Sequence, residues 1–273
     1  MQGSLGEKIG EGATSDVYAW APGQVLKLFK AGAAQGLGWH EARMTRAIFA
    51  AGGPALQVLA RVSLEGRFGI VLPRLDGPSL QQLCETGALT SGQAGVILAR
   101  LYISVHATPP PNDLLCLRDW FAALSQGTGL VPEHIVAGVL ARIERLPPPA
   151  VLCHGDLHAG NVIMTAEGPR IIDWSAAVLA PAAFDLWRCD INLKAFAYAP
   201  DGVDGGPAGA LSAAVWSEYE RLAGLSPAAL TAAIGPCLPI LRAVALAEAG
   251  LGALVPQAQL VQRLEADFAP DQA

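Results

Sequence analysis

The sequence contains few charged residues and no basic run. Only 15% of its 273 residues are Asp, Glu, Lys or Arg, and the net charge is −6 with a sequence pI of about 5.3. A protein that binds nucleic acid needs a basic patch to neutralise phosphates. The acidic balance therefore excludes a nucleic-acid partner and favours a neutral or cationic small molecule.

Paired cysteines are also missing. The five cysteines are widely spaced and none belongs to a C-x-x-C motif; they are Cys84, Cys116, Cys153, Cys189 and Cys237. Neither a zinc knuckle nor a disulfide framework is indicated, because both require closely spaced or paired cysteines. We expect free thiols.

Long hydrophobic runs and a secretory leader are absent as well. Hydrophobic residues make up 52% of the chain, which excludes a disordered protein, but polar residues interrupt them. The most apolar late stretch, residues 238–255, contains Arg242 and Glu248, so no membrane span is expected. Residues 1–8 lack the basic start and apolar centre of a secretory signal. We therefore expect a cytoplasmic protein.

Residues 5–73 have the pattern of a small antiparallel sheet with one helix. Alternating and apolar runs bounded by Pro-Gly and Glu-Gly turns predict hairpins, and Gly52-Gly53-Pro54 is a helix stop signal. The predicted elements are strands at residues 14–20, 24–29, 56–64 and 67–72 and a helix at residues 39–50. With a first strand before the Gly10 turn, the predicted order is strand, strand, strand, helix, strand, strand.

The rest of the chain is predicted to be mainly helical. The predicted helices cover residues 79–85, 91–106, 118–125, 132–146, 182–197, 208–222, 227–250 and 256–268. A chain of 273 residues can bury the cores of two lobes. We predict an α+β protein with a sheet lobe at residues 1–75 and a larger helical lobe at residues 76–273.

The segment at residues 152–174 contains the largest group of candidate catalytic residues. Asp156 stands in a loop rich in Gly and His, Asn161 follows five residues later, and Asp173 comes twelve residues after that. Phosphoryl transfer needs a positioned acceptor hydroxyl and metal ions that neutralise the nucleotide's oxygens. Asp156 is predicted to accept the hydroxyl proton or orient the hydroxyl. Asn161 and Asp173 are predicted to be oxygen ligands of Mg²⁺.

Two histidines lie on either side of Asp156. His154 and His158 have H-x-x-x-H spacing, but no third ligand is clearly placed, so a zinc site is not indicated. We predict instead that His154 supports the loop by donating to backbone carbonyls.

The sheet lobe offers further candidates for a nucleotide site. Gly10 and Gly12 link two predicted strands where a backbone could approach phosphates closely, although glycine pairs in hairpins are often ordinary turns. Lys27 lies in an apolar strand and needs a partner or solvent, because an unpaired buried charge is costly. Glu41 on the predicted helix is the natural partner, and the pair would hold the ammonium over the α- and β-phosphates. An edge-strand lysine that points outward is the alternative.

Residues 70–75 form the predicted connector between the lobes. The backbone around Leu72 and Arg74 could hydrogen-bond an adenine edge, with only a carbonyl available at Pro73. An ordinary strand end is equally compatible with these residues.

Together, these motifs resemble the bacterial aminoglycoside phosphotransferase/choline kinase family, a branch of the protein-kinase-like fold. The resemblance runs from Gly10 to about Trp187 and is most specific in segments 154–161, 172–174 and 185–187. It implies a bilobal protein-kinase-like fold and a catalytic aspartate, two metal ligands, a phosphate-binding lysine and a loop-bracing aspartate. The matching residues are Asp156, Asn161, Asp173, Lys27 and Asp185.

The chain departs from the family pattern at three places. Ser15 stands where a third glycine is usual, so either the loop covers the phosphates more loosely or the serine hydroxyl contacts them. Ser175 follows Asp-Trp, where members often carry an acidic residue, and residues 179–183 replace the usual Gly-Asp-Pro. These changes leave the phosphate machinery in place.

The implied function is an ATP-dependent, Mg²⁺-requiring O-phosphotransferase acting on a hydroxyl of a small molecule, with GTP as an alternative donor. An aminoglycoside-type antibiotic, and hence antibiotic resistance, is the leading hypothesis; choline, ethanolamine, homoserine and sugars are the alternatives. Residues 185–220 carry six acidic residues against Arg188 and Lys194, which suits an amine-bearing substrate, although a solvated helix surface explains the same count. Aromatic residues at 174–219 could line a choline site, but this spacing is also typical of a core.

Two other classes of protein have to be considered. A phospho-switched protein kinase is disfavoured, because Gly155 stands where such kinases commonly hold an Arg and only eleven residues separate Asp173 from Asp185. A catalytically inactive nucleotide-binding regulatory protein is disfavoured, because such a protein usually loses one of the catalytic residues and this chain retains all of them.

Overall fold

The structure, a computed structural model, describes residues 5–12, 14–31, 35–148, 150–188, 207–249 and 257–268. Its first lobe is a five-stranded antiparallel sheet in the order β1-β2-β3-β5-β4. The strands are β1 (Lys8–Glu11), β2 (Ser15–Ala19), β3 (Gln24–Phe29), β4 (Ala60–Leu64) and β5 (Arg67–Pro73), and helix α1 (Gln35–Ala50) lies between β3 and β4 in sequence. The predicted order of elements is confirmed.

The two faces of this sheet have separate apolar clusters. Leu26 and Leu28 of β3 pack on one face with Val71, whereas Phe29 packs on the other face with Ala42 of α1. Successive side chains of a strand point to opposite faces, so Lys27 shares the face of Phe29, towards α1. The alternation of β3 therefore directs the lysine to α1, the one helix among the described residues of this lobe.

Two boundaries in the sheet lobe differ from the prediction. Helix α1 begins at Gln35 rather than at residue 39, and the strand predicted at residues 56–64 begins only at Ala60. The register explains the second difference, because β4 pairs with β5 only from Leu64 opposite Arg67 to Ala60 opposite Val71. Val58, just before the strand, packs instead against the cluster that includes α1.

The second lobe is mainly helical and contains the largest core. Its helices are α2 (Leu80–Glu85), α3 (Ser91–His106), α4 (Leu117–Thr128), α5 (Glu133–Ile143), α6 (described over residues 182–188), α7 (Pro207–Ala223), α8 (Pro227–Ile234), α9 (Leu238–Glu248) and α10 (Gln257–Asp267). The predicted helix at residues 182–197 thus extends beyond the described residues. Capping boxes begin α2 at Ser79 and α3 at Thr90, which explains why these starts could be read from the sequence.

Two short antiparallel strand pairs in this lobe hold the segment that contains the candidate catalytic residues. Strand β6 (Val151–Cys153) pairs with β9 (Val178–Ala180), and β7 (Val162–Thr165) pairs with β8 (Gly168–Ile171). The loop at residues 154–161 therefore lies between the end of β6 and the start of β7. Both of its ends are anchored in strands.

The single helix predicted at residues 227–250 is wrong. It is divided into α8 and α9 by a 3-10 turn over Gly235–Cys237, where Pro236 removes a backbone donor and disfavours a continuous helix. The run Pro227–Glu248 has the length and composition of a membrane span, and half of its most apolar part is buried inside the structure. A buried core helix meets the same criteria, so length and composition alone do not place this run in a membrane.

Candidate active site

One buried carboxylate holds the backbone of the loop at residues 154–161. Asp185 of α6 is almost fully buried and accepts the His154 N–H through Oδ2 at 2.9 Å and the Gly155 N–H through Oδ1 at 2.8 Å. Charge-assisted hydrogen bonds of this kind are about twice as strong as neutral ones. The geometry matches the bracing role that the resemblance implied for Asp185.

His154 is a structural residue of the loop. Its fully buried ring has Nε2 3.1 Å from the Ile172 carbonyl and accepts the Asp156 N–H at Nδ1 over 3.2 Å. Both contacts are satisfied by one neutral tautomer that is protonated at Nε2. Burial disfavours the charged ring and lowers the pKa of His154, and the ring packs against Trp174 with 4.5 Å between centroids.

Asp156 and Asn161 face each other across the loop. The Asn161 Nδ2 donates to the Asp156 backbone carbonyl at 2.9 Å and lies 3.5 Å from Asp156 Oδ2. The Asp156 side chain is about one-third exposed, 37%, and His158 Nε2 lies 3.9 Å from its Oδ2. A carboxylate on a fixed backbone that solvent can reach is placed to meet an acceptor hydroxyl.

The two lobes meet at Lys27. Its Nζ lies 2.6 Å from Glu41 Oε1 of α1 and 3.2 Å from Asp173 Oδ2 of the helical lobe. The predicted ion pair with Glu41 is therefore present, and the alternative of an outward-pointing lysine is wrong. The structure also brings Asp173 to the same ammonium, although the sequence places the two residues far apart.

Asp173 has an unusual backbone conformation. Its φ is +64°, one of two positive values among the described non-glycine residues, and this region costs energy for any residue with a Cβ. The Ser175 hydroxyl donates to Asp173 Oδ1 at 2.8 Å, so the serine that departs from the family pattern holds one carboxylate oxygen. Strain of this kind is common where a side chain must point into a site.

The charges around Lys27 shift one another's pKa values. Burial opposes charge on Lys27, but the carboxylates of Glu41 and Asp173 outweigh it and raise its pKa. Burial raises the pKa of Glu41 to about 7 despite the neighbouring lysine. Burial also opposes ionisation of Asp173, but Lys27 outweighs it and the pKa of Asp173 lies below its ordinary value. Lys27 and Asp173 are thus charged at neutral pH.

The glycines that were predicted to approach the phosphates begin two strands away from Lys27. Gly10 of β1 is opposite Val17 of β2, which is opposite Lys27 of β3, a separation of about 10 Å at the usual strand spacing. The Gly12 N–H donates to the Ser15 carbonyl at 2.8 Å, and Ser15 is buried at the start of β2. These three residues therefore form the β1–β2 turn region, and their contact with phosphate remains a prediction.

The connector residues Leu72 and Arg74 make contacts within the sheet lobe. The Arg74 N–H donates to the Gly23 carbonyl at 2.9 Å, and its side chain is turned to Asp76, with Nε 3.0 Å from Oδ1. Leu72 is opposite Val25 in the sheet and packs with the cluster around Phe29. The backbone N–H of Arg74 is engaged within the sheet lobe, so the adenine contact predicted for this residue cannot use it.

Several residues that support the loop had no signal in the sequence. His106 at the end of α3 lies between Asp185 and Tyr219, with Nε2 3.2 Å from Asp185 Oδ2 and Nδ1 2.8 Å from the Tyr219 hydroxyl. The Tyr102 hydroxyl donates to the Leu157 carbonyl at 2.6 Å. These contacts join residues 55 to 113 positions apart, and only the pattern of a buried helix marked this part of the chain.

A buried arginine lies near the base of the site. Arg188 donates from Nη2 to Glu248 Oε1 at 2.7 Å and lies over the Trp120 ring at 5.5 Å. Burial opposes its charge, but Glu248 and then Asp156 outweigh burial, and the pKa of Arg188 is raised. The guanidinium therefore contributes positive potential at Asp156.

The acidic stretch at residues 185–220 is partly committed to internal contacts. Asp185 braces the loop, and Glu218 is paired with Arg221 at 2.7 Å and Arg100 at 3.4 Å. Asp190, Asp201 and Asp204, with Lys194, lie outside the described residues. Two of the six carboxylates that were taken to favour a cationic substrate are therefore engaged in contacts within the protein.

Comparisons with known proteins identify the family and the fold of this chain. Residues 6–225 match the family described as the Phosphotransferase enzyme family, APH. The fold resembles a choline/ethanolamine kinase family protein from Mesorhizobium loti, with a TM-score of 0.62, 15% identity and coverage of 99% of this chain and 90% of that chain. It also resembles a thermostable mutant of aminoglycoside phosphotransferase APH(4)-Ia in a ternary complex with ADP and hygromycin B, with a TM-score of 0.57, 19% identity and coverage of 99% and 95%. The predicted bilobal kinase-like fold is confirmed.

One curated protein shares a short stretch of sequence. Methylthioribose kinase from Bacillus velezensis is 35% identical over 70 residues, which are 26% of this chain and 18% of that protein. The match therefore spans less than a fifth of the relative's length.

Proposed function

Since the chain belongs to the Phosphotransferase enzyme family, a family of small-molecule kinases, we propose that it transfers the γ-phosphoryl group of ATP to a hydroxyl of a small molecule in the presence of Mg²⁺. The leading acceptor class is an aminoglycoside-type antibiotic. The proposed roles follow from the residues that meet between the two lobes.

The observation that carries this proposal is the contact of both lobes at Lys27. The ammonium lies within 3.2 Å of carboxylates from the sheet lobe and from the helical lobe. A phosphoryl-transfer site needs a fixed cation for the phosphates next to a carboxylate that can hold a metal ion. Glu41 sets the position of Lys27, and Asp173 supplies the carboxylate.

Asn161 and Asp173 fit Mg²⁺ by the chemistry of their donor atoms. The Asn161 amide nitrogen is engaged with the Asp156 carbonyl, which leaves the amide oxygen as the atom to face a cation. Asp173 is ionised at neutral pH because its pKa is lowered, with Lys27 outweighing burial. Hard cations such as Mg²⁺ prefer oxygen ligands of this kind, and bound Mg²⁺ would neutralise charge on the phosphate oxygens.

Asp156 is the proposed base or orienting group. It would take the proton of the acceptor hydroxyl as that oxygen bonds to the γ-phosphorus, while the bond from the γ-phosphorus to the β–γ bridging oxygen breaks and ADP leaves. The loop fixes the Asp156 backbone through the His154 ring and the Asn161 amide. This placement supports a direct role for Asp156 rather than a structural one.

The acceptor class rests on likeness and on charge. The described fold resembles a protein solved with ADP and hygromycin B, and the excess of acidic residues over the whole chain favours a cationic or neutral substrate. An amino alcohol is the second candidate, because the TM-score to the choline/ethanolamine kinase family protein, 0.62, is higher than the 0.57 to the aminoglycoside phosphotransferase. Both classes carry cationic nitrogen groups as well as hydroxyls.

A nucleotide-consumption screen tests the function. Purified protein with ATP and Mg²⁺ is assayed against aminoglycosides, choline, ethanolamine, homoserine, methylthioribose and sugars, and mass spectrometry identifies the phosphorylated product. We expect turnover with one class of acceptor, led by aminoglycosides. Turnover only with amino alcohols or sugars would reject an antibiotic as the acceptor but would support the phosphotransferase activity.

The matched control is Asp156→Asn, which keeps the shape of the side chain. Loss of turnover with nucleotide affinity unchanged would support the proposed chemistry. If ATP binds tightly and no acceptor in the panel is phosphorylated, the result would favour an inactive nucleotide-binding regulatory protein.

A further inference from the structure

A groove of about 990 Å³ lies on the sheet lobe, away from the candidate active site. One wall is α1, which contributes residues at helical spacing, and the other is the stretch leading into β4. On α1, Trp39, Arg43 and Ala47 line the groove, whereas Glu41 points to Lys27. The helix therefore serves the two sites with different faces.

The groove is lined by exposed apolar side chains and by arginines. Three of the six exposed large hydrophobic side chains in the described part of the chain line it: Trp39 at 50%, Phe49 at 44% and Leu59 at 40% exposure. Arg43, Arg46 and Arg61 line it as well, and none of the described residues that line it is acidic. Apolar surface of this kind, together with charged side chains, is typical of a site that binds another molecule.

The arginines are largely unneutralised. The Arg61 guanidinium lies 4.7 Å from the centre of the Trp39 ring, and neither it nor Arg46 has a carboxylate within salt-bridge distance among the described residues. Arg43 alone has an acidic neighbour, with Nε 3.5 Å from Asp113 Oδ2. In a protein of net charge −6, this concentration of free cations on one groove favours an acidic occupant.

The groove also borders a free sheet edge. In the order β1-β2-β3-β5-β4, strand β4 is at the edge, and within the described residues its backbone pairs only with β5. An edge strand presents a row of backbone donors and acceptors. A groove between such an edge and a helix is the arrangement in which an extended peptide adds a strand and places alternate side chains against the helix.

We propose that an extended acidic segment of a partner protein docks here as an additional strand on β4. Its apolar side chains would contact Trp39 and Leu59, and its carboxylates would meet Arg46 and Arg61. A symmetric dimer of this chain fits less well, because two copies packed face to face would bring the same arginines together. The docking surface uses none of the residues assigned to phosphoryl transfer.

The test uses a fluorescein-labelled peptide of about ten residues that alternates glutamate with phenylalanine or leucine, which is the period of a strand. Binding is measured by fluorescence anisotropy with the full chain. We expect saturable micromolar binding that weakens with salt. The same peptide with alternate backbone amides N-methylated should not bind, because it cannot extend the sheet.

Charge variants locate the site. The double variant Arg46→Glu, Arg61→Glu should raise the Kd by about tenfold or more, and Phe49→Ser should weaken binding too. The matched controls are Arg145→Glu and Leu225→Ser, which change an exposed arginine and an exposed leucine of the helical lobe; they should leave the Kd within about twofold. Asp156→Asn should bind the peptide normally, which separates this inference from the proposed function.

Three outcomes of the binding assay would overturn the proposal. They are no saturable binding of the acidic peptide, equal binding of the N-methylated peptide, and a Kd that the Arg46 and Arg61 changes leave unaltered. A dimer in light scattering that Phe49→Ser dissociates would assign the groove to a second copy instead. The N-methylated peptide needs no variant, so the test stands even if a substitution unfolds the chain.

Discussion

At the scale of single residues, the paired charges of the candidate site and its one strained backbone position lie around Lys27. Lys27 is held by two carboxylates, and one of them, Asp173, has a strained positive φ. An ammonium in such a position is fixed before any phosphate arrives, because its partners already determine its rotamer. This preorganisation is the physical basis of the proposed phosphate contact.

Asp156→Asn should lower kcat by about 10²- to 10⁴-fold, because the amide cannot accept the hydroxyl proton. The Kd for ATP should be unchanged, since Asp156 is not assigned to the phosphates. Steady-state kinetics and a nucleotide titration measure the two quantities. Asp119→Asn, an exposed carboxylate of α4, is the control. A near-normal kcat in Asp156→Asn would remove Asp156 from the mechanism.

Lowering the pH from 8 to 6 should weaken nucleotide binding through Glu41. Burial raises the pKa of Glu41 to about 7, so its charge is lost over this window and Lys27 keeps only Asp173. We expect the Kd of a non-hydrolysable ATP analogue to rise by about threefold to tenfold beyond the change caused by titration of the phosphates.

The Glu41→Gln variant isolates this effect. It should bind the analogue weakly already at pH 8 and should show only the pH dependence of the nucleotide itself. Glu133→Gln, an exposed glutamate of α5, should behave like the natural chain. Parallel pH profiles for the natural chain and Glu41→Gln would reject the assignment.

At the scale of elements, the loop at residues 154–161 depends on a helix and on a tight backbone approach. Helix α6 supplies Asp185, which accepts two loop N–H groups, and α3 supplies His106 to the same carboxylate. Gly155 has a φ of +78°, and a Cβ there would lie 2.1 Å from the Ala176 carbonyl oxygen. The loop is therefore closely packed at Gly155, where its surroundings leave no room for a side chain.

Asp185→Asn should lower the free energy of unfolding by about 2–4 kcal/mol, because charge-assisted bonds are lost and one N–H faces another donor. Urea denaturation monitored by circular dichroism measures the loss. Burial opposes ionisation of Asp185, but His106 outweighs it and the pKa lies below its ordinary value. The stabilisation is thus present above about pH 4 and is lost as the pH falls through the lowered pKa. Equal stability of the two proteins at pH 7 would contradict the bracing role.

Gly155→Ala and Gly129→Ala form a matched pair. Both glycines have a positive φ, but a Cβ at Gly129, the cap of α4, meets nothing within 4 Å. Gly129→Ala should cost about 1–2 kcal/mol for backbone strain alone. Gly155→Ala should cost at least about 2 kcal/mol more, because backbone atoms have to move, and should reduce kcat. Thermal and urea unfolding compare them; equal losses would show that the loop has room.

At the scale of the whole molecule, the candidate site exists only because two lobes meet. Lys27 and Glu41 come from the sheet lobe, and Asp173 comes from the helical lobe. The 3.2 Å contact between Lys27 and Asp173 is thus both an interlobe link and a part of the proposed nucleotide site.

Asp173→Ala should abolish the Mg²⁺-dependent part of nucleotide binding with the fold retained. We expect the Kd for ATP with Mg²⁺ to rise by about tenfold or more, because a metal ligand and a partner of Lys27 are both lost. Calorimetric titrations with Mg²⁺ and with a chelator measure the metal-dependent part. Asp76→Ala, whose side chain is 83% exposed, is the control. If Mg²⁺ increased the ATP affinity of Asp173→Ala as much as that of the natural chain, the assignment of Asp173 as a metal ligand would be contradicted.

The sequence by itself determined the local elements and the chemistry of the motif. The start and end of α3 were predicted at Ser91 and His106 and are observed there, because capping residues and apolar periodicity act within a few positions. The Lys27–Glu41 pair was predicted because an unpaired buried lysine is costly and Glu41 lies on the helix predicted for the sheet lobe. The division of the helix near Pro236 was missed, although proline marks the break.

The tertiary structure alone decided which distant residues support the site. The contacts of Asp185 with His106 and of Arg188 with Glu248 join positions 79 and 60 residues apart, and no local pattern encodes which buried polar groups will become neighbours. The same holds for the groove beside β4, which depends on the strand order of the sheet. Local propensity acts along the chain, whereas pairing of buried charges and sheet edges depends on how the elements pack in three dimensions.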